Sequence, residues 1–219
     1  MPPQPVIHPG RIEVITGPMF SGKSEELIRR LKRAQIAKQR VACFKPDIDV
    51  RYHRNAIASH SAQSLEAQAV ANVEELKAIL MPLLDLPAGA SVDVVGIDEA
   101  QFLDPSLVPL ANELVHLGRR VIIAGLDTTF AGEPFAPIPD LMAIADEVTK
   151  LSAVCMQCGA TAVHTQRLGS NQELVVVGAA GVYEARCRAC FRPWVDEHAT
   201  EQLELPVDAL PVGAGARSH

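Results

Sequence analysis

Aromatic residues are scarce in this chain: six Phe, two Tyr and one Trp make up 4% of its 219 residues. Any of them outside an obvious core position is therefore a candidate for ligand contact. No run of 18 apolar residues occurs, which excludes a membrane-spanning helix. The first ten residues, MPPQPVIHPG, lack the basic start and apolar stretch of a secretory signal, so a cytoplasmic protein is expected. Positive charge is not in excess either: 20 Lys and Arg stand against 26 Asp and Glu, a net charge of −6. A protein that tracks nucleic-acid phosphates needs a basic face, so no nucleic-acid polymer is expected as a partner. A small phosphorylated ligand, by contrast, needs only a few local cations. No internal repeat is present. The five cysteines include two CxxC pairs, a pattern that suits metal binding in a reducing compartment better than a disulfide framework.

The length allows one sizeable core and a small appended unit. Residues 1–10 hold four prolines and few apolar anchors, and are expected to form a flexible tail. RIEVIT (11–16) is a β-branched run ending at a glycine, a buried strand. From Lys23 to Gln39 apolar residues recur at helical spacing among many charges, predicting an amphipathic helix with a solvated basic face. VACFK (41–45) is the next strand. The polar segment 46–71 reads as a long loop with at most one short strand. A helix is expected over Val73–Leu84, broken near its end by Pro82, then a strand within 91–100, a helix from Pro105 to Leu117 and a strand over 119–125. This alternation predicts an α/β fold with a parallel sheet covered by helices on both faces. After Lys150 the composition changes to cysteine pairs, a valine-rich strand (173–177) and a Gly/Ala stretch, which marks a boundary. Residues 199–219 read as a second flexible tail.

Gly17-Pro18-Met19-Phe20-Ser21-Gly22-Lys23-Ser24 matches the phosphate-loop pattern GxxxxGK[ST] in full, between a strand and a helix as the mechanism requires. The glycines let backbone N–H groups turn toward phosphate, and the helix start adds the positive end of its dipole. Lys23 would reach the β- and γ-phosphates of ATP, and the Ser24 hydroxyl would bind Mg²⁺. The bland alternative is a glycine-rich turn with a solvated lysine. The usual partner of such a loop is an acid ending a second buried strand. Asp98 supplies one, poised to hold Mg²⁺. Glu99 follows, either as a general base for an acceptor hydroxyl or as a capping carboxylate for the next helix.

Cys155, Cys158, Cys187 and Cys190 form CxxC…CxxC with 28 residues between the pairs. Four thiolates in two knuckles suit structural, tetrahedral Zn²⁺; reduced core cysteines are the alternative. Cys43, alone in a strand, reads as plain core. His60 and His164 read as structural or surface residues, and Trp194 as packing on the knuckles.

The loop GPMFSGK, the acidic box Asp98-Glu99-Ala100-Gln101-Phe102, then Gly125-Leu126-Asp127, Thr129-Phe130 and Glu133-Pro134-Phe135, and finally the cysteine knuckles follow one another in an order that resembles the type II thymidine kinase family. The likeness runs from about Arg11 to Phe191. It implies ATP-dependent phosphorylation of the thymidine 5′-hydroxyl, a zinc-fastened lasso loop over the nucleoside, and a homotetramer. Residues 11–150 would then be a P-loop kinase domain and 151–198 a zinc-binding lasso domain. Glu99 resembles the family's catalytic base. Asp49 and Arg51 resemble polar residues of the nucleotide and sugar-phosphate site, to which Asp98 and Gln101 also belong. Met19, Phe102, Leu126, Phe130 and Phe135 look like the pocket around the base. Leu174, Val175, Val176, Val177, Gly178 and Tyr183 match the lasso's substrate-contacting stretch, although Gly181 and Val182 stand where many members have an acidic and a basic residue. Two rival readings are a P-loop ATPase and a zinc-ribbon module that binds nucleic acid.

Overall fold

The structure, a computed structural model, describes residues 10–47, 56–58, 64–87, 89–168 and 182–193. The first apolar run forms β1 (Arg11–Thr16), and the phosphate-loop sequence leads into α1 (Lys23–Ile36). β2 (Val41–Pro46), the short strands β3 (Ala56–Ala58), β4 (Ser64–Glu66) and β5 (Gln68–Val70), and α2 (Val73–Leu84) follow. Then come β6 (Val94–Ile97), a 3-10 turn (Ala100–Phe102), α3 (Leu107–His116), β7 (Arg120–Gly125), α4 (Ile138–Ile144) and β8 (Glu147–Lys150). Six strands make one sheet in the order β5-β2-β6-β7-β1-β8, with every neighbouring pair parallel.

Alternation along the strands divides the core. Ile12, Val14, Val95, Ile97, Val121 and Ile123 face one side, where α2, α3 and α4 pack. Ile15, Val94, Ile122 and Ala124 face the other, where α1 covers them with Leu27, Ile28, Leu31 and Ala34. Residues successive in a strand thus point to opposite helical layers, as the pleat demands. Cys43 is buried on the α1 side, and burial pushes its thiol pKa well up, so it is core.

Several elements differ from the sequence expectations. The first helix stops at Ile36 rather than Gln39, because the chain leaves it through Lys38 at φ 62°. The helix over Val73–Leu84 is not broken by Pro82. That residue is exposed in the last turn, where losing one N–H donor is tolerable. At its other end Asn72 caps the Glu75 N–H at 2.9 Å, and Glu75 returns a bond to the Ala71 N–H, a reciprocal cap. The segment read as a loop with at most one short strand contributes β3, β4 and β5, and β5 extends the main sheet. The valine-rich strand over 173–177 lies outside the described residues.

The basic face of α1 is not simply solvated. Arg30 is 8% exposed and donates to Glu13 (2.7 Å), Glu26 (2.8 Å) and Thr149 (2.8 Å), with Glu147 at 3.0 Å. Glu13, on the α1 face of β1, also accepts from Arg120 (2.6 Å) and Arg11 (2.7 Å). A buried acid in a strand is thus reconciled with the core by three guanidinium groups. Burial pushes its pKa up, but hydrogen bonds from Arg120, Arg11 and Arg30 outweigh that and hold it at about 2.

A carboxylate held below its unfolded value stabilises the fold above the ordinary carboxylate range, and that stability fades as pH falls toward 2. Glu13→Gln is therefore expected to cost about 2–3 kcal/mol at pH 7, since it leaves Arg30 and Arg120, both largely buried, short of a partner. Urea unfolding of both proteins at pH 7 and pH 3 checks this: the gap should narrow at the lower pH. An equal gap at both values contradicts it.

Candidate active site

All six strands of the sheet are parallel, so their C-terminal ends meet at one edge, where ligands of open α/β sheets bind. β1 ends there in the phosphate loop. Gly17 turns the chain at φ 139°, where a Cβ would lie 2.4 Å from the Leu151 carbonyl oxygen, so only glycine fits. Phe20 and Gly22 also have positive φ, 65° and 84°. The loop closes on Lys23, which is 7% exposed and donates to the Pro18 carbonyl at 2.8 Å. Burial lowers the Lys23 pKa, while Glu99, Asp98 and Asp127 raise it. A buried ammonium in such a loop, with one carbonyl as its hydrogen-bond acceptor, is chemically suited to phosphate oxygens.

Asp98 follows β6 and is 5% exposed. Burial, then the neighbouring Glu99, raise its pKa to about 7, although the Ser24 hydroxyl donates to it. A desolvated carboxylate beside a hydroxyl is a donor set that fits a hard divalent cation such as Mg²⁺. Glu99 comes next, in the left-handed conformation (φ 49°, ψ 38°). For a residue with a side chain this costs on the order of 1 kcal/mol, and such strain clusters at functional sites. The turn separates the two acids, which in a continuing strand would simply alternate faces. The Glu99 carboxylate accepts from the Gln101 side-chain amide at 2.6 Å, and the amide's oxygen accepts from the Leu126 N–H at 3.0 Å. Gln101, 3% exposed, therefore bridges the acidic turn to the segment after β7.

That segment carries Phe130 and Phe135, and Phe102 ends the 3-10 turn before α3. Phe102 and Phe135 meet edge to face, with centroids 5.9 Å apart at 85°. The Arg167 guanidinium lies 5.0 Å from the Phe130 ring centre and 5.8 Å from that of Tyr183. The contact with Phe130 ties the chain after β7 to the cysteine-containing region, while Tyr183 is the strand partner of Arg167 within it.

That region is built from β9 (Ala153–Val154) paired with β10 (Thr161–Ala162), and β11 (His164–Arg167) paired with β12 (Tyr183–Arg186). Cys155, Cys158, Cys187 and Cys190 bring their sulfurs within 4.8 Å of one another, which fits a single tetrahedral ion. The backbone N–H of Cys187 holds the Cys155 thiol down at about 6, while the Cys158 and Cys187 side chains push Cys190 up to about 12. Four clustered sulfurs cannot all ionise without a cation among them. Thr165 of β11 reaches the phosphate loop itself, its hydroxyl accepting from the Met19 N–H at 3.0 Å. His164 is half-buried and stacked on Phe191 at 4.3 Å, so it is packing rather than surface.

The structure thus gathers the phosphate loop, Asp98, Glu99, Gln101, Phe102, Leu126, Phe130, Phe135 and Tyr183 around one sheet edge, and the four cysteines beside it. Asp49, Arg51, His60, Leu174–Gly178 and Trp194 lie outside the described residues. Sequence reasoning missed four features: the Gln101 bridge, the Thr165 contact, the Arg167 stack and a buried Asp127 paired with Lys150 at 2.5 Å. Asp127 could have been found by the rule that found Asp98, an acid just past a buried strand.

The family model for thymidine kinase matches residues 10–191. A thymidine kinase of Deinococcus deserti is 55% identical over 188 residues, covering 82% of this chain and 93% of that protein. One from a Rhodothermus species is 49% identical over 214 residues, 95% of this chain and 96% of its own. The thymidine kinase of Deinococcus radiodurans is 53% identical over 191 residues, 84% and 90% of the two chains. With a family match over most of its length and relatives near half identity across nearly whole chains, this protein belongs to the thymidine kinase family.

Proposed function

We propose that this chain transfers the γ-phosphoryl group of ATP to the 5′-hydroxyl of thymidine. The observation that carries the reading is the pairing, at one sheet edge, of a complete phosphate loop with a strained, hydrogen-bonded Glu99. Lys23 exchanges its Pro18 carbonyl partner for β- and γ-phosphate oxygens, with the loop's N–H groups around them. Ser24 and Asp98 would hold Mg²⁺, which when bound neutralises charge on the triphosphate. The thymidine 5′-oxygen attacks the γ-phosphorus, the bond to the β–γ bridging oxygen breaks, and ADP leaves. Glu99 accepts the hydroxyl proton, and Gln101 keeps its carboxylate facing that hydroxyl. Arg51 stabilises charge on the transferring group, and Asp49 joins the polar contacts of the sugar-phosphate region.

Met19, Phe102, Leu126, Phe130, Phe135 and Tyr183 enclose the thymine ring, a flat apolar body suited to aromatic walls. The stretch Leu174–Gly178 lacks polar side chains, so its backbone N–H and C=O groups read the edge of the base. Zinc held by the four cysteines pins the β11–β12 hairpin, and with it the Thr165 contact to Met19. The working form is a homotetramer in the cytoplasm. Among the described residues no helix is long and apolar enough to cross a membrane.

A panel of nucleosides with ATP tests the assignment through ADP release. Thymidine should be the preferred acceptor, with dTMP as product, and little ADP should form without a nucleoside. Preference for a purine nucleoside overturns the substrate, and nucleoside-independent ADP release makes the protein an ATPase. Glu99→Gln should lower turnover by roughly 10²–10⁴-fold with ATP affinity nearly intact. Loss of ATP affinity with unchanged turnover would instead mark Glu99 as a ground-state binding group.

Elemental analysis of protein purified without chelator should find one Zn²⁺ per chain. Chelation should raise hydrogen exchange in β9–β12 before it does so in the main sheet, because the cysteine-region core is a separate cluster. Metal-free protein with unchanged exchange there contradicts a structural zinc site.

A further inference from the structure

Among the four carboxylates that act on the buried ammonium of Lys23 are Asp98, Glu99 and Asp127, with Glu25 of α1 the weakest. The first two have work in the reading above, as cation ligand and proton acceptor. Asp127 has none. It lies two residues beyond β7, the strand paired with β1, and is 5% exposed. Its Oδ1 is buried without a hydrogen-bond partner among the described residues. Its Oδ2 lies 2.5 Å from Nζ of Lys150, the last residue of β8. Since β7 and β8 flank β1 in the sheet, Asp127 and Lys150 close over the strand that feeds the phosphate loop.

A buried carboxylate near a phosphate site carries two penalties. It repels the incoming triphosphate, and it competes with phosphate for the one buried ammonium. A counter-charge removes both, and Lys150 supplies it from a side chain that is half exposed. With Asp127 buried and Lys150 half exposed, the pair offsets the desolvation of the carboxylate, and its place over the phosphate loop gives that offset a consequence for ligand binding as well. Resting on the proposed ATP-dependent reading, we infer that Lys150 is a positioning residue: by pairing with Asp127 it leaves Lys23 free for the phosphates of ATP. Lys150 acts through Asp127 and needs no contact with the nucleotide.

The arrangement is tested by a double-mutant cycle read as equilibrium ATP affinity, together with KM for ATP, KM for thymidine and kcat. Lys150→Met should weaken ATP binding by roughly tenfold or more, the effect of one uncompensated charge near the phosphates. It should leave KM for thymidine close to the wild-type value, and Lys150→Arg should restore ATP affinity. The deciding variant is Lys150→Met combined with Asp127→Asn, in which the acid is removed along with its partner. Recovery to within about twofold of wild type supports the inference. If the double variant binds ATP as weakly as Lys150→Met, Lys150 touches the phosphates directly and the inference fails. If Lys150→Met binds ATP as wild type does, it fails too. Thermal melts of each variant check folding, and the isosteric Asp127→Asn keeps the cycle readable if the lysine variant alone is unstable. Wild-type protein that does not bind ATP would overturn the functional reading itself, whatever the variants do.

Discussion

The site depends on keeping one ammonium out of water. Lys23 is buried at the C-terminal edge of a parallel sheet, where desolvation works against its charge and nearby carboxylates work for it. That balance is the reason acids gather here at all. Asp98 follows β6 and Asp127 follows β7, so two neighbouring strands each deliver a carboxylate toward a loop that issues from a third. A parallel sheet makes this possible because all its strands end on the same side. The opposite edge solves a similar problem with the signs reversed: there a single buried carboxylate, Glu13, is held by three arginines.

Geometry at the site is set by residues that do no chemistry. Glu99 stands in a left-handed turn, and Gln101 ties its carboxylate to the Leu126 N–H. A carboxylate fixed in this way would lose little freedom on meeting an acceptor hydroxyl, the role proposed for it. The cysteine region connects to the same machinery through two contacts of different kinds. Thr165 accepts from the Met19 N–H inside the phosphate loop, and Arg167 lies over Phe130 and near Tyr183. A metal at the four cysteines would therefore sit at the base of a strand pair that touches both the phosphate loop and Phe130.

Much of this was legible in the sequence because it rests on local patterns. The run Arg11–Thr16, the loop Gly17–Ser24 and the start of α1 are contiguous, and each carries its own signature. Asp98 was readable as an acid ending a buried strand, and the CxxC pairs as ligand knuckles. Other elements were not legible for physical reasons. β8 is a polar edge strand with three of its four residues exposed, so alternation gives no signal, and its pairing with β1 spans the whole domain. α4 has only seven residues and begins beside two prolines. The left-handed backbone at Glu99 leaves no mark in a residue type that rarely adopts it. Lys150 and Asp127 are 23 positions apart, and only the sheet order brings them together. The arginines of α1 read as solvated because their partner, Glu13, is hidden in a strand that looks apolar.

The role proposed for the buried Lys23 ammonium is to meet the phosphates of ATP. Calorimetric titration of Mg·ATP into wild type and Lys23→Met tests it most directly. Melting curves and thymidine binding serve as checks on the fold. The variant is expected to fold and to lose ATP affinity by roughly tenfold to a hundredfold, the scale of a lost charge-assisted hydrogen bond. A folded Lys23→Met protein that binds Mg·ATP as tightly as wild type would contradict it.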